Sequence, residues 1–194
     1  EAECRPAHET RAVAEAAKEV CLREYGASPE VNVVGMTDLS FQFYSKHLRR
    51  VIFALLKNSL RATVEANPTS QALPPVVVAL SGGSEDITVR VSDQGGGIPR
   101  SAQDKIWSWF YTTAKTASFE QGSNRPDAAQ DHDIRRSALG QSLPMAGHGF
   151  GLPMSRLYAR YFGGELTLVP MEGWGTDAFL YLPRIGEQDE APLE

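Results

Sequence analysis

The sequence predicts an α+β fold, a two-layer sandwich in which helices cover one face of a mixed, mostly antiparallel sheet. Three observations carry that expectation. Long segments repeat apolar residues at spacings of three and four, and two pairs of short β-branched runs are each joined by a glycine-rich turn. The elements also run helix, helix, strand, strand, polar insertion, helix, strand, strand, with no internal repeat.

The first helix is expected from about Thr10 to Tyr25, where Val13, Ala16, Ala17, Val20, Cys21 and Tyr25 share a face and Gly26 supplies the stop. Residues 1–9 read as a polar leader containing Cys4. The Glu1-Ala-Glu-Cys4 start looks like a fragment boundary, and no presequence is visible. Val31 to Val34 is a short strand candidate, and Asp38 to Ser45 a less regular connector.

A second helix is expected from Lys46 to Ala66, ending before Pro68. Leu48, Ile52, Leu55, Ser59 and Ala62 form its packing face, while Arg50, Ala54, Asn58, Arg61 and Glu65 fall on another. Pro75 to Leu80 and Asp86 to Ser92 then form a hairpin around Ser81-Gly-Gly-Ser-Glu85. Ile87, Val89 and Val91 alternate with Thr88 and Arg90, so one sheet face is buried and the other wet.

After the turn at Gly95 to Gly97, a short helical segment is expected over Ala102 to Phe110. Ser118 to Leu143 is polar and aperiodic, and reads as the body of a lid or insertion over about 112–146. Its Asp131-His-Asp133 cluster reads as solvated surface. Gly147, Gly149 and Gly151 lead into a helix with the stripe Met154, Leu157, Tyr158, Tyr161 and Phe162, stopped by Gly163-Gly164. Strands Glu165 to Val169 and Thr176 to Leu182 follow, joined by Pro170-Met-Glu-Gly-Trp-Gly175. One domain over 10–186 and an acidic tail over 187–194 complete the expectation.

Composition narrows the function. The chain has 194 residues, 42% hydrophobic and 22% charged, which fits a single globular domain. Nineteen Lys plus Arg against twenty-four Asp plus Glu give a net charge of -5 without a basic run, which argues against nucleic acid as the main partner. Cys4 and Cys21 lack metal spacing and read as ordinary thiols, and no apolar stretch is long enough to span a bilayer.

Four short stretches carry chemistry. Asn58 stands mid-helix, where asparagine sacrifices helix propensity, and its amide oxygen can ligate a divalent cation that bridges phosphates. Asp93 ends a β-run before Gln94-Gly-Gly-Gly97. Its carboxylate can accept a hydrogen bond from a purine amine, and the glycines let a ring approach the backbone. Gly147-His-Gly-Phe-Gly151 opens a helix, so free N–H groups and the positive helix end together make an anion cradle. Thr176 offers a hydroxyl near the base, directly or through water.

Together these motifs carry a resemblance. Lys57-Asn-Ser-Leu-Arg-Ala-Thr-Val-Glu65, Ser92-Asp-Gln-Gly-Gly-Gly-Ile-Pro99, Phe110-Tyr-Thr-Thr-Ala114, Gly147-His-Gly-Phe-Gly-Leu-Pro-Met-Ser-Arg-Leu-Tyr-Ala-Arg-Tyr161 and Met171-Glu-Gly-Trp-Gly-Thr-Asp177 look like, in order, the N, G1, lid, G2 and G3 boxes of the mitochondrial 2-oxoacid dehydrogenase kinases. That family includes the pyruvate and branched-chain enzymes and has the GHKL, or Bergerat, ATP-binding fold. The resemblance covers roughly Thr10 to Leu182.

It implies ATP or ADP with Mg2+, and K+ is a further candidate. Asn58 would hold the metal, Asp93 and Thr176 would read adenine, and Gly97 would line the base pocket. Gly147, His148, Gly149, Phe150, Gly151 and Leu152 would wrap the phosphates, with Arg61, Thr112 and Thr113 near the nucleotide. The implied partners are a dehydrogenase E1 subunit as substrate and a lipoyl-bearing core reached through an amino-terminal domain that this chain does not contain. A homodimer through the sheet and a mitochondrial matrix location are also implied.

Two positions depart from the family pattern. The resembling kinases place a general-base Glu four residues before the metal-binding Asn, and usually a supporting His one turn earlier. Here those positions are Ala54 and Arg50. Ala54 has no proton acceptor, and a guanidinium is a permanent donor. The sequence therefore supports a protein serine kinase by ancestry, with an ATP-binding pseudokinase or regulator as the alternative. A GHKL ATPase with a conformational cycle would also need an acid near position 54, and a histidine kinase would need a phosphoacceptor His on a dimerisation helix.

Overall fold

A computed structural model describes residues 2–68, 72–113 and 149–184. Strand β1 spans Ala2–Cys4, helix α1 Pro6–Tyr25, β2 Val31–Gly35, β3 Phe41–Phe43 and helix α2 Ser45–Ala66. Strands β4 (Val76–Gly82) and β5 (Asp86–Ser92) follow, then the short α3 (Arg100–Gln103), helix α4 (Gly151–Tyr161), β6 (Glu165–Met171) and β7 (Gly175–Pro183).

The main sheet has five strands in the order β2-β4-β5-β7-β6. Only β2 and β4 pair in parallel, and the other neighbours are antiparallel. Register follows the apolar alternation. Val78 lies opposite Val91, Leu80 opposite Val89, Val89 opposite Leu180, and Leu166 opposite Leu180, all buried. A slip of one residue would turn this whole set to solvent, so the burial pattern pins the pairing.

The helices lie on that buried face. Leu48, Ile52, Leu55, Leu56 and Leu60 of α2 are at most 2% exposed and sit in one core cluster with the sheet residues. Each such side chain contributes roughly 1.5–3 kcal/mol relative to exposure. Helix α1 packs on α2 through Val13, Ala17, Val20 and Cys21. Pro6 opens it where a missing N–H costs nothing, and the Gly26 N–H closes it onto the Leu22 carbonyl at 2.9 Å. The expected sandwich is therefore the observed architecture. No helix among the described residues is long and apolar enough to cross a membrane.

Three stretches differ from expectation. Part of the polar leader is β1, which pairs with β3 inside the expected connector, Cys4 opposite Phe41. Cys4 is fully buried there. Both strands are three residues long, too short for periodicity to reveal. The first helix accordingly starts at Pro6 rather than Thr10. The helix expected over Ala102 to Phe110 reduces to Arg100–Gln103 followed by turns. There the Lys105 and Ser108 N–H groups bond to carbonyls three residues back, and Phe110 takes the left-handed φ of 66° that ends the segment. The polar stretch 118–143 lies outside the described residues.

Candidate functional site

The sheet and α2 leave a cavity of about 600 Å³ between them, closed at one end by the amino terminus of α4. Asn58, Arg61, Asp93, Gly97, Thr112, Thr113, Gly149, Phe150, Gly151, Leu152 and Thr176 all line it. Gly147 and His148 lie outside the described residues. Positions far apart in the chain thus meet because α2 packs over β4 and β5, while α4 packs against α2 and β7.

Asp93 stands at the inner wall, 7% exposed. Its Oδ1 accepts the N–H of Gly95 at 2.9 Å and the N–H of Thr176 at 3.1 Å. Burial pushes the carboxyl above its ordinary value. The Gly95 and Thr176 N–H groups and the Ser59 hydroxyl pull the other way without cancelling the rise, and Asp177 adds to it. Oδ1 is held by the backbone, and the residue lines the cavity. Sequence reasoning placed Ser59 only on the packing face of α2. A lone hydroxyl in a leucine stripe was the signal that it serves a polar neighbour.

Two of the glycines are fixed by neighbouring backbone. A Cβ on Gly97 would stand 2.3 Å from the Met171 carbonyl oxygen, and one on Gly175 only 1.9 Å from the Asp93 carbonyl oxygen. The turn after β5 and the β6–β7 turn are in near contact, stitched by Gly96 N–H to Trp174 O at 3.0 Å and Gly173 N–H to Gly96 O at 2.8 Å. Close approach of two backbones is therefore sufficient to require both residues, a constraint that chain-local spacing does not reveal.

At the other end, Gly149 takes a φ of 78°, and a Cβ there would meet the Phe110 backbone at 2.5 Å. The Phe150 ring packs edge-on against Phe110 at 4.8 Å. Gly151 opens α4, and the first N–H groups of a helix have no intrahelical partner, so Gly151 and Leu152 present donors and partial positive charge to the cavity.

Asn58 is exposed on the cavity side of α2. Among the described residues no group of three or more His, Cys, Asp or Glu could hold a metal. A cation at Asn58 would thus take most of its ligands from phosphate and water, the habit of Mg2+. The residues fit that ion when it arrives with a nucleotide.

Asp93 and Glu65 are the only carboxylates among the described residues lining the cavity. Glu65 accepts from the Tyr25 hydroxyl at 2.8 Å and lies 3.9 Å from Arg61 Nε. It sits about 16 Å along the helix from position 54, by the rise per residue. Ala54 is 8% exposed and lies 3.8 Å from where a Gly151 Cβ would be. Arg50 does not line the cavity; it is 5% exposed and donates to the Tyr158 hydroxyl on α4.

Comparison with known proteins agrees with this architecture. Residues 44–185 match the histidine kinase-, DNA gyrase B- and HSP90-like ATPase family. The chain is 41% identical over 186 residues to the mitochondrial [pyruvate dehydrogenase (acetyl-transferring)] kinase of Arabidopsis thaliana, covering 95% of this chain and 48% of that protein. It is 43% identical over 185 residues to the Schizosaccharomyces pombe kinase of the same name, covering 93% of this chain and 40% of that protein. With the isozyme 4 kinase of Mus musculus the identity is 36%, over 92% of this chain and 40% of that protein. The chain spans less than half the length of these relatives.

Proposed function

The chain belongs to the histidine kinase-, DNA gyrase B- and HSP90-like ATPase family, and from that premise we propose that it binds ATP–Mg in the cavity between α2 and the sheet, as the nucleotide domain of a protein serine kinase of the 2-oxoacid dehydrogenase type. The observation that carries this reading is the convergence on one cavity of Asn58, Asp93, Thr176 and the amino end of α4.

In this reading Asp93 Oδ2 and the Thr176 hydroxyl take the adenine edge, and Gly97 lines the base pocket. The N–H groups from Gly149 to Leu152 surround the phosphates together with Gly147 and His148, while Arg61, Thr112 and Thr113 border them. Asn58 holds Mg2+, which would neutralise phosphate charge. The proposed substrate is a serine of the E1 subunit of a complex such as pyruvate dehydrogenase, the target in the relatives' names, which also carry a mitochondrial location. The sheet face opposite the helices, bearing Val34, Val169 and Tyr181, is the proposed surface for a homodimer. K+ and a lipoyl-bearing core remain part of the proposal through the family alone.

A second reading is favoured by Ala54. With no carboxylate near that position among the described lining residues, transfer would proceed on positioning and charge stabilisation alone, and loss of a general base costs roughly 10²- to 10⁴-fold in rate. The chain then serves as a nucleotide-dependent regulator of the same complex. Isothermal titration with ATP–Mg and ADP–Mg tests the site. Transfer of labelled γ-phosphate to E1 by the full-length protein separates kinase from regulator. A folded, magnesium-replete sample without binding at millimolar ATP would overturn both.

A further inference from the structure

Two of the places where α2 meets α4 bear on the cavity. At one, Ala54 faces Gly151, where α4 begins and where the helix lines the cavity. At the other, one turn earlier on α2 and two turns later on α4, buried Arg50 meets Tyr158. Its Nη1 donates to the phenol oxygen, and its guanidinium carbon lies 5.1 Å from the ring centroid. The His47 ring backs Tyr158 at 5.1 Å and Phe162 at 5.2 Å.

We infer that Arg50 is a positioning residue for nucleotide phosphates: by gripping Tyr158 it sets where the amino end of α4 stands over the cavity. The inference rests on the proposed nucleotide reading. A helix is a stiff rod, so fixing Tyr158 fixes Gly151 about 10 Å away along the axis. The donors at that end act only at hydrogen-bond distance, and a displacement of roughly 1 Å takes them out of it. The base side of the cavity is built differently. Asp93 and Thr176 are tied to each other and to the sheet, with no contact to Arg50 among their described bonds. An arginine suits this task because it stacks on a ring and donates in the same pose, which lysine does not.

The two ends therefore respond differently to loss of the grip, and this separates positioning from a general structural role. Arg50→Gln and Tyr158→Leu are each expected to weaken ATP–Mg binding about tenfold, the size of a desolvated cation–π and hydrogen-bonded contact. The double variant should lose no more than either single, because Arg50 acts through Tyr158. Adenosine, followed by amide chemical shifts, should bind all of these within about twofold of the parent, since it uses only the base end.

Should Arg50→Gln fail to fold, Arg50→Lys and Tyr158→Phe carry the same comparison with smaller losses. Equal losses for ATP–Mg and adenosine, unchanged ATP–Mg affinity, or additive losses in the double variant would overturn the inference and leave the nucleotide reading intact. No ATP–Mg binding by the parent chain would overturn the nucleotide reading and this inference with it.

Discussion

Arg61 donates from Nη2 to the Thr113 hydroxyl at 2.9 Å, joining the carboxy-terminal part of α2 to a point 52 residues further along the chain. Both residues line the cavity, and Arg61 also lies beside Glu65, which the Tyr25 hydroxyl holds from α1. The bond therefore ties the edge of the site to the helical layer. Thr113→Val removes the acceptor and keeps the shape. A neutral side-chain bond contributes about 1 kcal/mol and one to a charged donor about 1.5–3, so ATP–Mg affinity should change by at least about threefold. Titration calorimetry checks this, and an unchanged affinity would remove Thr113 from the site.

Asp93 makes a second prediction. Asp93→Asn keeps the volume but weakens the acceptor that the Gly95 and Thr176 N–H groups use, and it offers a purine amine a donor or a neutral oxygen. Nucleotide affinity should fall by about 10- to 100-fold, the cost of one to two charge-assisted bonds. Because the carboxyl titrates above its ordinary value in the folded protein, the raised value means that protonation comes early as pH falls. Binding that needs the ionised form is complete above that raised pKa and is lost as pH falls through it. An affinity flat from neutrality to the edge of acid unfolding would contradict this role.

Gly175 tests the contact between the turns. A Cβ there would collide with the Asp93 carbonyl oxygen at 1.9 Å, and backbone does not yield as a side-chain tip does. Gly175→Ala should destabilise the domain by roughly 2–4 kcal/mol, in the range of severe steric substitutions. Denaturant midpoints measure it.

Glu165 gives a pH prediction away from the cavity. Burial opposes its ionisation, but bonds from Arg160 and Arg156 and from the Leu166 N–H outweigh burial and hold the carboxyl at about 2, below its ordinary value of 4.5. A folded-state pKa below the unfolded one adds stability that is fully present above about pH 4.5 and declines as pH falls towards about 2. Glu165→Gln should flatten that part of the stability curve and leave the neutral region less stable than the parent. Solvent screening of this partly exposed group keeps the effect small. Thermal melts between pH 2 and 7 report it.

Position 54 decides between the two functional readings. Ala54→Glu replaces a methyl with a proton acceptor and leaves the contact of Arg50 with Tyr158 in place. In the full-length protein, γ-phosphate transfer should rise by about 10²- to 10⁴-fold. Equal rates before and after would mean that the parent does not lack a base.

Much of this was legible along the chain. The alternation of Ile87, Val89 and Val91 announced a half-buried strand, and Leu48, Ile52 and Leu55 announced the packed face of α2, because side-chain period depends only on local geometry. The spacing from Ala54 to Asn58 placed both on one helical face for the same reason. The β1–β3 pair was not legible, since three-residue strands show no period and their stability comes from neighbours. The turns after α3 were missed because Ala102 and Ile106 imitate helical spacing, while the hydrogen bonds there shift towards three-residue closure.

Residue type and spacing alone determined which groups can accept, donate or hold a cation, and so made Asn58, Asp93 and the glycine-rich loop candidates for nucleotide chemistry. Only the tertiary structure decided that Asn58, Asp93, Gly149 and Gly151 share one cavity. It also decided that Gly97 and Gly175 are constrained by neighbouring backbone and that Arg50 turns from the site to grip Tyr158. Local propensity acts over a few residues, whereas the distance between two segments is set by how the whole core packs.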